Sequence, residues 1–261
     1  NYNMATNTPY FLLNFNITEA QRCAAFSKLV YKSELEVRSE LSKLNADKVA
    51  WFSRNGTEAF ACVLEEQIYL CFRGTQPTSL RDILADLKAY RTTSYTGGRV
   101  HDGFKDALNE IWTYVDAYCK ENKFINPQQQ TYRKIICTGH SLGAALATLA
   151  AKRLSNVYRL YTFGSPRVGN KRWREGLYVS HWRIVNNNDI VTRVPSCLRF
   201  THHGNLVYIN HYGNIRKMTP WQRVKDRFRG HFNSWRHFKF FDSFSDHSME
   251  RYNDILFSLS K

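Results

Sequence analysis

A chain of 261 residues, 43% hydrophobic with only 13 glycines and 6 prolines, has the length and composition of one folded domain, which excludes a disordered or low-complexity polypeptide. Its 37 basic against 22 acidic side chains leave a net charge of +15, which favours anionic partners such as nucleic acid or an acidic lipid surface and says nothing about chemistry. No apolar run approaches the roughly 20 residues of a membrane-spanning helix. The six cysteines, spread thinly and without a C-x-x-C pair, argue against a disulfide scaffold and a metal site.

The predicted elements begin with helix. Thr18 and Gln21 fit a capping box, and Cys23, Phe26 and Val30 follow at helical spacing. Val37, Leu41 and Leu44 predict a second helix. The run "KVAWFSRNGTEAFACVLEEQIYLCFRG", Lys48 to Gly74, predicts three strands, with a hairpin at Asn55-Gly56 and a second turn at Glu65-Glu66. Next, "SLRDILADL" sets Leu80, Ile83, Leu84 and Leu87 at i, i+3, i+4 and i+7, a short amphipathic helix that periodicity alone reads as packed on a core. Further strands, "KIICTG", "VYRLYTFG" and "HWRIVNN", are separated by helical segments, the pattern of a parallel sheet with crossovers. The fold class expected is therefore α/β: a mostly parallel central sheet, antiparallel N-terminal strands and helices on both faces. No repeat or composition break divides the chain, so residues 1–261 are read as a single domain. Cys62, Cys71 and Cys137 fall in the strand-like runs and are expected as buried, inert thiols. The N-terminus shows no basic segment followed by an apolar core. Met4 as a start and a leader already removed both stay open, and so does a secreted or a cytoplasmic location.

The stretch "IICTGHSLGAALATLAAKRL" changes character at its centre. Before Gly139 it is short and β-branched, and after Ser141 it is rich in alanine and leucine, so a buried strand turns abruptly into a long helix. The turn, Gly139-His140-Ser141-Leu142-Gly143, matches G-x-S-x-G, in which a sharp strand-to-helix turn forces the serine into a strained conformation. A serine hydroxyl is a poor nucleophile at neutral pH and needs a base within reach and a third group to hold that base. Where such a turn is a nucleophile elbow, the chain order is Ser, then Asp or Glu, then His. Asp189 follows a strand-like run and precedes a Val-Pro turn, which places it at a carboxyl strand end. Nine histidines compete for the base. His247 stands just before a terminal helix, with Ser248 as a cap and Tyr252, Ile255, Leu256 and Leu259 at helical spacing. His203 is the runner-up, His140 is expected to pack inside the turn, and His231 and His237 belong to a basic stretch. The backbone N–H of Leu142, the residue after the serine, is one expected oxyanion donor.

Six blocks occur in one order: "FRGT" (Phe72 to Thr75), "HDGF" (His101 to Phe104), "GHSLGA", "TFGSPRVGN" (Thr162 to Asn170), "NNDIVTRVP" (Asn187 to Pro195) and "DHSMERY" (Asp246 to Tyr252). Together they resemble the class 3 lipase family, the fungal-type triacylglycerol lipases with an α/β-hydrolase fold, from about Trp51 to Tyr252. The resemblance implies Asp189 as the acid, His247 as the base and Thr75 as the second oxyanion donor, through its N–H and its hydroxyl. His101 and His203 would line the pocket. It also implies that the segment carrying Leu80, Ile83, Leu84 and Leu87 is a lid, although many relatives have tryptophan where this chain has Ile83.

The expected function is a serine carboxylic-ester hydrolase acting on acylglycerols through an acyl-enzyme, with no cofactor. Phospholipase A1, galactolipase and feruloyl esterase activities are the rivals within that class. The reading from another class is a catalytically silent α/β-hydrolase that binds anionic surfaces. Ser141, Asp189 and His247 together argue against silence, and the absence of a recognised motif argues against nucleic acid. From Arg216 to Lys239 eight basic residues face the single acid Asp226, interleaved with Trp221, Phe228, Phe232, Trp235 and Phe238. That composition fits a segment packed against the domain and equally one that docks on an anionic lipid surface. Oligomeric state is left open.

Overall fold

Asn55 and Gly56 adopt left-handed φ angles of 46° and 79°, the conformation that a two-residue hairpin turn requires. They join β1 (Asp47–Arg54) to β2 (Thr57–Leu64), with Arg54 opposite Thr57. Glu65 and Glu66, at φ 50° and 62°, make the same kind of turn into β3 (Gln67–Phe72). The structure is a computed structural model that describes residues 14–74, 91–154, 156–187, 189–210, 212, 214–215, 222–223 and 248–258. Thr75, Leu80, Ile83, Leu84, Leu87, His231, His237, His247 and all of the basic stretch but Gln222 and Arg223 lie outside the described residues.

After β3 come a small hairpin, β4 (Arg91–Thr93) with β5 (Arg99–His101), and helix α3 (Asp102–Glu121). A second small hairpin, β6 (Phe124–Asn126) with β7 (Thr131–Tyr132), leads into β8 (Ile135–His140). Helix α4 (Leu142–Arg153), β9 (Val157–Phe163), the short helix α5 (Lys171–Glu175), β10 (Ser180–Asn186) and β11 (Asn205–Ile209) complete the core, and α6 (Met249–Ser258) follows. The seven-stranded sheet runs β1-β2-β3-β8-β9-β10-β11. Its first two pairings are antiparallel, and β3, β8, β9, β10 and β11 are mutually parallel.

The period-two alternation of the strands sorts their side chains onto two apolar layers. Ala59, Ala61 and Val63 of β2 with Ile68, Leu70 and Phe72 of β3 face α3 and α4. Phe60, Cys62 and Leu64 with Tyr69 and Cys71 face the other side, where the N-terminal helices α1 (Ile17–Leu29) and α2 (Glu34–Lys43) pack together with α6. Cys62, Cys71 and Cys137 are buried, and burial pushes the Cys62 thiol up to about 12. The sheet is thus covered on both faces, as a parallel sheet requires.

Three local features differ from the sequence reading. Helix α1 starts two residues earlier than the Thr18/Gln21 box, because the extended Asn16 caps it by accepting the Glu19 N–H at 2.9 Å. Gln21 instead donates to the Leu256 carbonyl of α6 at 2.9 Å. Helix α2 carries the capping box, Ser33 with Glu36, and Leu44 is its half-exposed C-cap rather than a core position. Among the described residues no helix is long and apolar enough to cross a membrane.

Candidate active site

Strand β8 ends at His140, and α4 begins at Leu142, so Ser141 alone makes the turn. It does so at φ 57°, ψ −126°, a region that a non-glycine residue enters at a cost of about 1–3 kcal/mol. Its neighbours hold it there. The Ser141 N–H donates to the Phe163 carbonyl of β9 at 3.0 Å, and the Ser141 carbonyl accepts the Ala144 N–H at 3.1 Å. The glycines on either side are needed for close backbone approach. A Cβ on Gly139 would overlap the Gly143 carbonyl. One on Gly143 would overlap the Phe72 carbonyl and lie 2.8 Å from Gly74 N. The end of β3 therefore crosses directly over the first turn of α4. Gly74, the residue before Thr75, sits where a Cβ would come 3.4 Å from Ser141 Cβ. Leu142 is the first residue of α4, where a backbone N–H has no partner within the helix.

Two strands away, β10 ends at Asn186, and Asp189 lies just beyond it, fully buried. Its Oδ1 accepts the Val191 N–H at 3.0 Å, and its Oδ2 accepts the Tyr252 hydroxyl at 2.6 Å. The Tyr252 oxygen also accepts the Asn186 N–H at 2.9 Å, so one phenol ties the strand end, the carboxylate and α6 together. The loop after Asp189 is braced from below. Arg167 donates to the carbonyls of Arg193 and Pro195, and His202 Nε2 donates to the Thr192 carbonyl at 2.7 Å. Burial holds His202 well below the ordinary histidine range, so the neutral ring makes this bond.

The histidines separate by position. His203 Nδ1 lies 3.0 Å from Nδ1 of His181, the second residue of β10. That is the entry end of the parallel strands, whereas Ser141 and Asp189 stand at the exit end, so His203 is neither the runner-up base nor a pocket residue. Its own acidity is set by burial, which lowers its pKa. His101 is buried and stacks on Phe104 with ring centroids 4.2 Å apart. His140 is buried beside the serine, as expected, with Tyr31 at 3.0 Å from its Nδ1. His247 and Thr75 fall outside the described residues, each one residue from a described neighbour, Ser248 and Gly74. The sequence reading missed Tyr31 and the hydroxyl of Tyr252. For Tyr252 the signal was a polar atom on an otherwise apolar helix face, and for Tyr31 there was none.

A left-handed serine between a parallel strand and a helix, with a buried carboxylate at the end of the next strand but one, defines an α/β-hydrolase. The comparisons with known proteins narrow this. A family model for class 3 lipases matches residues 69–199, about half of the chain, and the chain belongs to the class 3 lipase family. It is 34% identical over 161 residues to a lipase of Rhizomucor miehei, covering 56% of this chain and 42% of that one. It is 38% identical over 105 residues to a secreted mono- and diacylglycerol lipase of Fusarium solani, covering 38% and 30%. The chain thus spans well under half the length of these relatives. Among solved structures it is similar to a triacylglycerol lipase whose catalytic centre is a serine protease triad, at 25% identity and a TM-score of 0.65 over 82% of this chain and 93% of that one. It is also similar to the Rhizomucor miehei lipase–propeptide complex, at 28% identity and a TM-score of 0.61 over 76% and 70%.

Proposed function

We propose that the protein is a serine carboxylic-ester hydrolase that cleaves acylglycerol esters through an acyl-enzyme, without a cofactor. The observation that carries this reading is the strained Ser141 elbow at the exit end of a sheet whose buried Asp189 carboxylate is fixed by hydrogen bonds to both oxygens. Ser141 attacks the ester carbonyl, and His247 takes its proton and returns it to the leaving alcohol. Asp189 holds the imidazole and offsets the charge it gains. Leu142 N–H and Thr75 stabilise the oxyanion, and the crossing of Phe72–Gly74 over α4 supports this by bringing the residue before Thr75 against the serine. The similar proteins named for triacylglycerols and for mono- and diacylglycerols support glycerides as the substrate class. The segment carrying Leu80, Ile83, Leu84 and Leu87 is proposed as a lid, in keeping with a similar fungal lipase–inhibitor complex that serves as a model for interfacial activation, with 27% identity and a TM-score of 0.59.

Fluorophosphonate labelling of the native protein, abolished in Ser141→Ala, is the expected outcome. A protein that stays unlabelled would overturn the hydrolase reading in favour of a silent fold. Turnover of emulsified triacylglycerol above that of phosphatidylcholine and galactolipid is expected, with a jump at the solubility limit that Ile83→Asp weakens. A preference for the polar lipids would reassign the substrate.

A further inference from the structure

The hydroxyl of Tyr31 lies between two parts of the site that come from distant stretches of chain. Tyr31 is the second residue beyond α1, Gly74 belongs to the loop leaving β3, and His140 is the last residue of β8, next to the serine. The Tyr31 oxygen stands 3.0 Å from His140 Nδ1. The same oxygen occupies the space into which a Cβ on Gly74 would project. A phenol has one proton. Given to Nδ1, that proton goes with His140 as the neutral ring carrying its own proton on Nε2. Burial pushes the Tyr31 hydroxyl well above the ordinary tyrosine range, so it remains a donor throughout the working pH range.

The ring itself is held from both sides. The Arg73 guanidinium lies 5.8 Å from its centroid and is in turn paired with Glu58. The His140 ring stands edge-on to Tyr31 at 6.0 Å and to Tyr252 at 6.1 Å. A continuous set of contacts thus runs from the loop before Thr75, through Tyr31, His140 and Tyr252, to the Asp189 carboxylate.

We infer that Tyr31 is a positioning residue for the oxyanion side of the site, setting through Gly74 and His140 the distance between the loop leaving β3 and the nucleophile elbow. The inference rests on the serine-hydrolase reading above. An oxyanion donor helps only if it is already placed where the charge will develop, and a misplacement of about 1 Å can cost on the order of 10²-fold in rate. Removing the hydroxyl frees Gly74 and with it the first residue of the following loop.

The test is Tyr31→Phe, assayed on a soluble p-nitrophenyl ester with active sites counted by fluorophosphonate titration. The expected result is a drop in kcat per titrated site of about 10- to 100-fold with KM changed less than about twofold. Affinity for a boronic acid, which carries the oxyanion's charge and shape, should fall by a similar factor. His140→Gln, which keeps an acceptor for the phenol, should retain most of the rate that His140→Leu loses. This pair decides the matter if Tyr31→Phe does not fold. Unchanged kcat and boronate affinity per titrated site, or equal rates in the two His140 variants, would overturn the inference while the labelled serine keeps the hydrolase reading. A wild-type protein that does not label would bring down both.

Discussion

A fully buried carboxylate must fill its lone pairs from the protein, and among the described residues Asp189 accepts from one backbone N–H and one phenol. Replacing Tyr252 by phenylalanine keeps the apolar face of α6 and deletes only the oxygen. That removes the donor to Oδ2 and also the acceptor of the Asn186 N–H. Hydrogen bonds to a charged group contribute about 1.5–3 kcal/mol, and each 1.36 kcal/mol of lost transition-state stabilisation is about tenfold in rate. Tyr252→Phe is therefore expected to unfold more easily by about 1–3 kcal/mol in urea and to lose about tenfold in kcat on a soluble ester, with KM nearly constant. Wild-type stability and kcat would mean that the carboxylate is held without the phenol. Ser141 and Asp189 were legible because local patterns announce them, a glycine-flanked turn and a strand end. The Tyr252 hydroxyl was not, since helical spacing marks a residue as buried without saying what its polar atom meets 63 residues away.

Strands β2, β3 and β8 and helix α4 could be read from the sequence because each carries its period intact and ends in a recognisable turn. Strand β11 was missed: a run of five residues has no periodicity to measure, and its place is fixed by parallel pairing with β10 from Trp182 to Asn186. The cap of α1 was misplaced because Asn16 and Thr18 are both good cap residues, and only the extended backbone at Asn16 decides between them. The elbow glycines were foreseen, but not that Gly143 serves the meeting of β3 with α4. This sets up a contest between two effects in Gly143→Ala. Intrinsic helix propensity favours alanine by about 0.8–1.0 kcal/mol. Against it, the added methyl meets the Phe72 carbonyl, Arg73 C and Gly74 N, which are backbone atoms at the end of β3 and in the loop leaving it and cannot rotate away as a side chain can. Overpacking of this kind costs about 1–3 kcal/mol, so Gly143→Ala should lower stability despite the better propensity. It should also lower kcat, because β3 retreats and carries the Thr75 loop with it. A variant as active as the wild type and more stable would show that propensity wins and that the crossing has slack.

Over the whole molecule the +15 charge is not evenly spread. The stretch from Arg216 to Lys239 alone supplies eight basic residues and one acid, seven of the fifteen net charges in less than a tenth of the chain, and lies between the acid and the proposed base. A charge excess that served solubility alone would not need five interleaved aromatic residues. Trp and Phe beside Lys and Arg are the composition of a surface that sits at a lipid interface, rings in the boundary and cations on the headgroups. Each such cation is worth about 1 kcal/mol near an anionic membrane, and the attraction is screened over about 8 Å at physiological salt. Reversing Arg223, Lys225, Arg227 and Arg229 together is then expected to cost at least about 4 kcal/mol of membrane binding, roughly three decades in affinity. The measurement is co-sedimentation with phosphatidylglycerol and phosphatidylcholine vesicles over a salt series. Binding should be confined to the anionic vesicles, fall steeply with salt and vanish in the fourfold variant, while turnover of a soluble ester is unchanged because Ser141 and Asp189 are set by the sheet. Equal binding to neutral vesicles, or binding indifferent to salt, would show that the aromatic residues are packed inside the fold and that the charge around them is merely solvated.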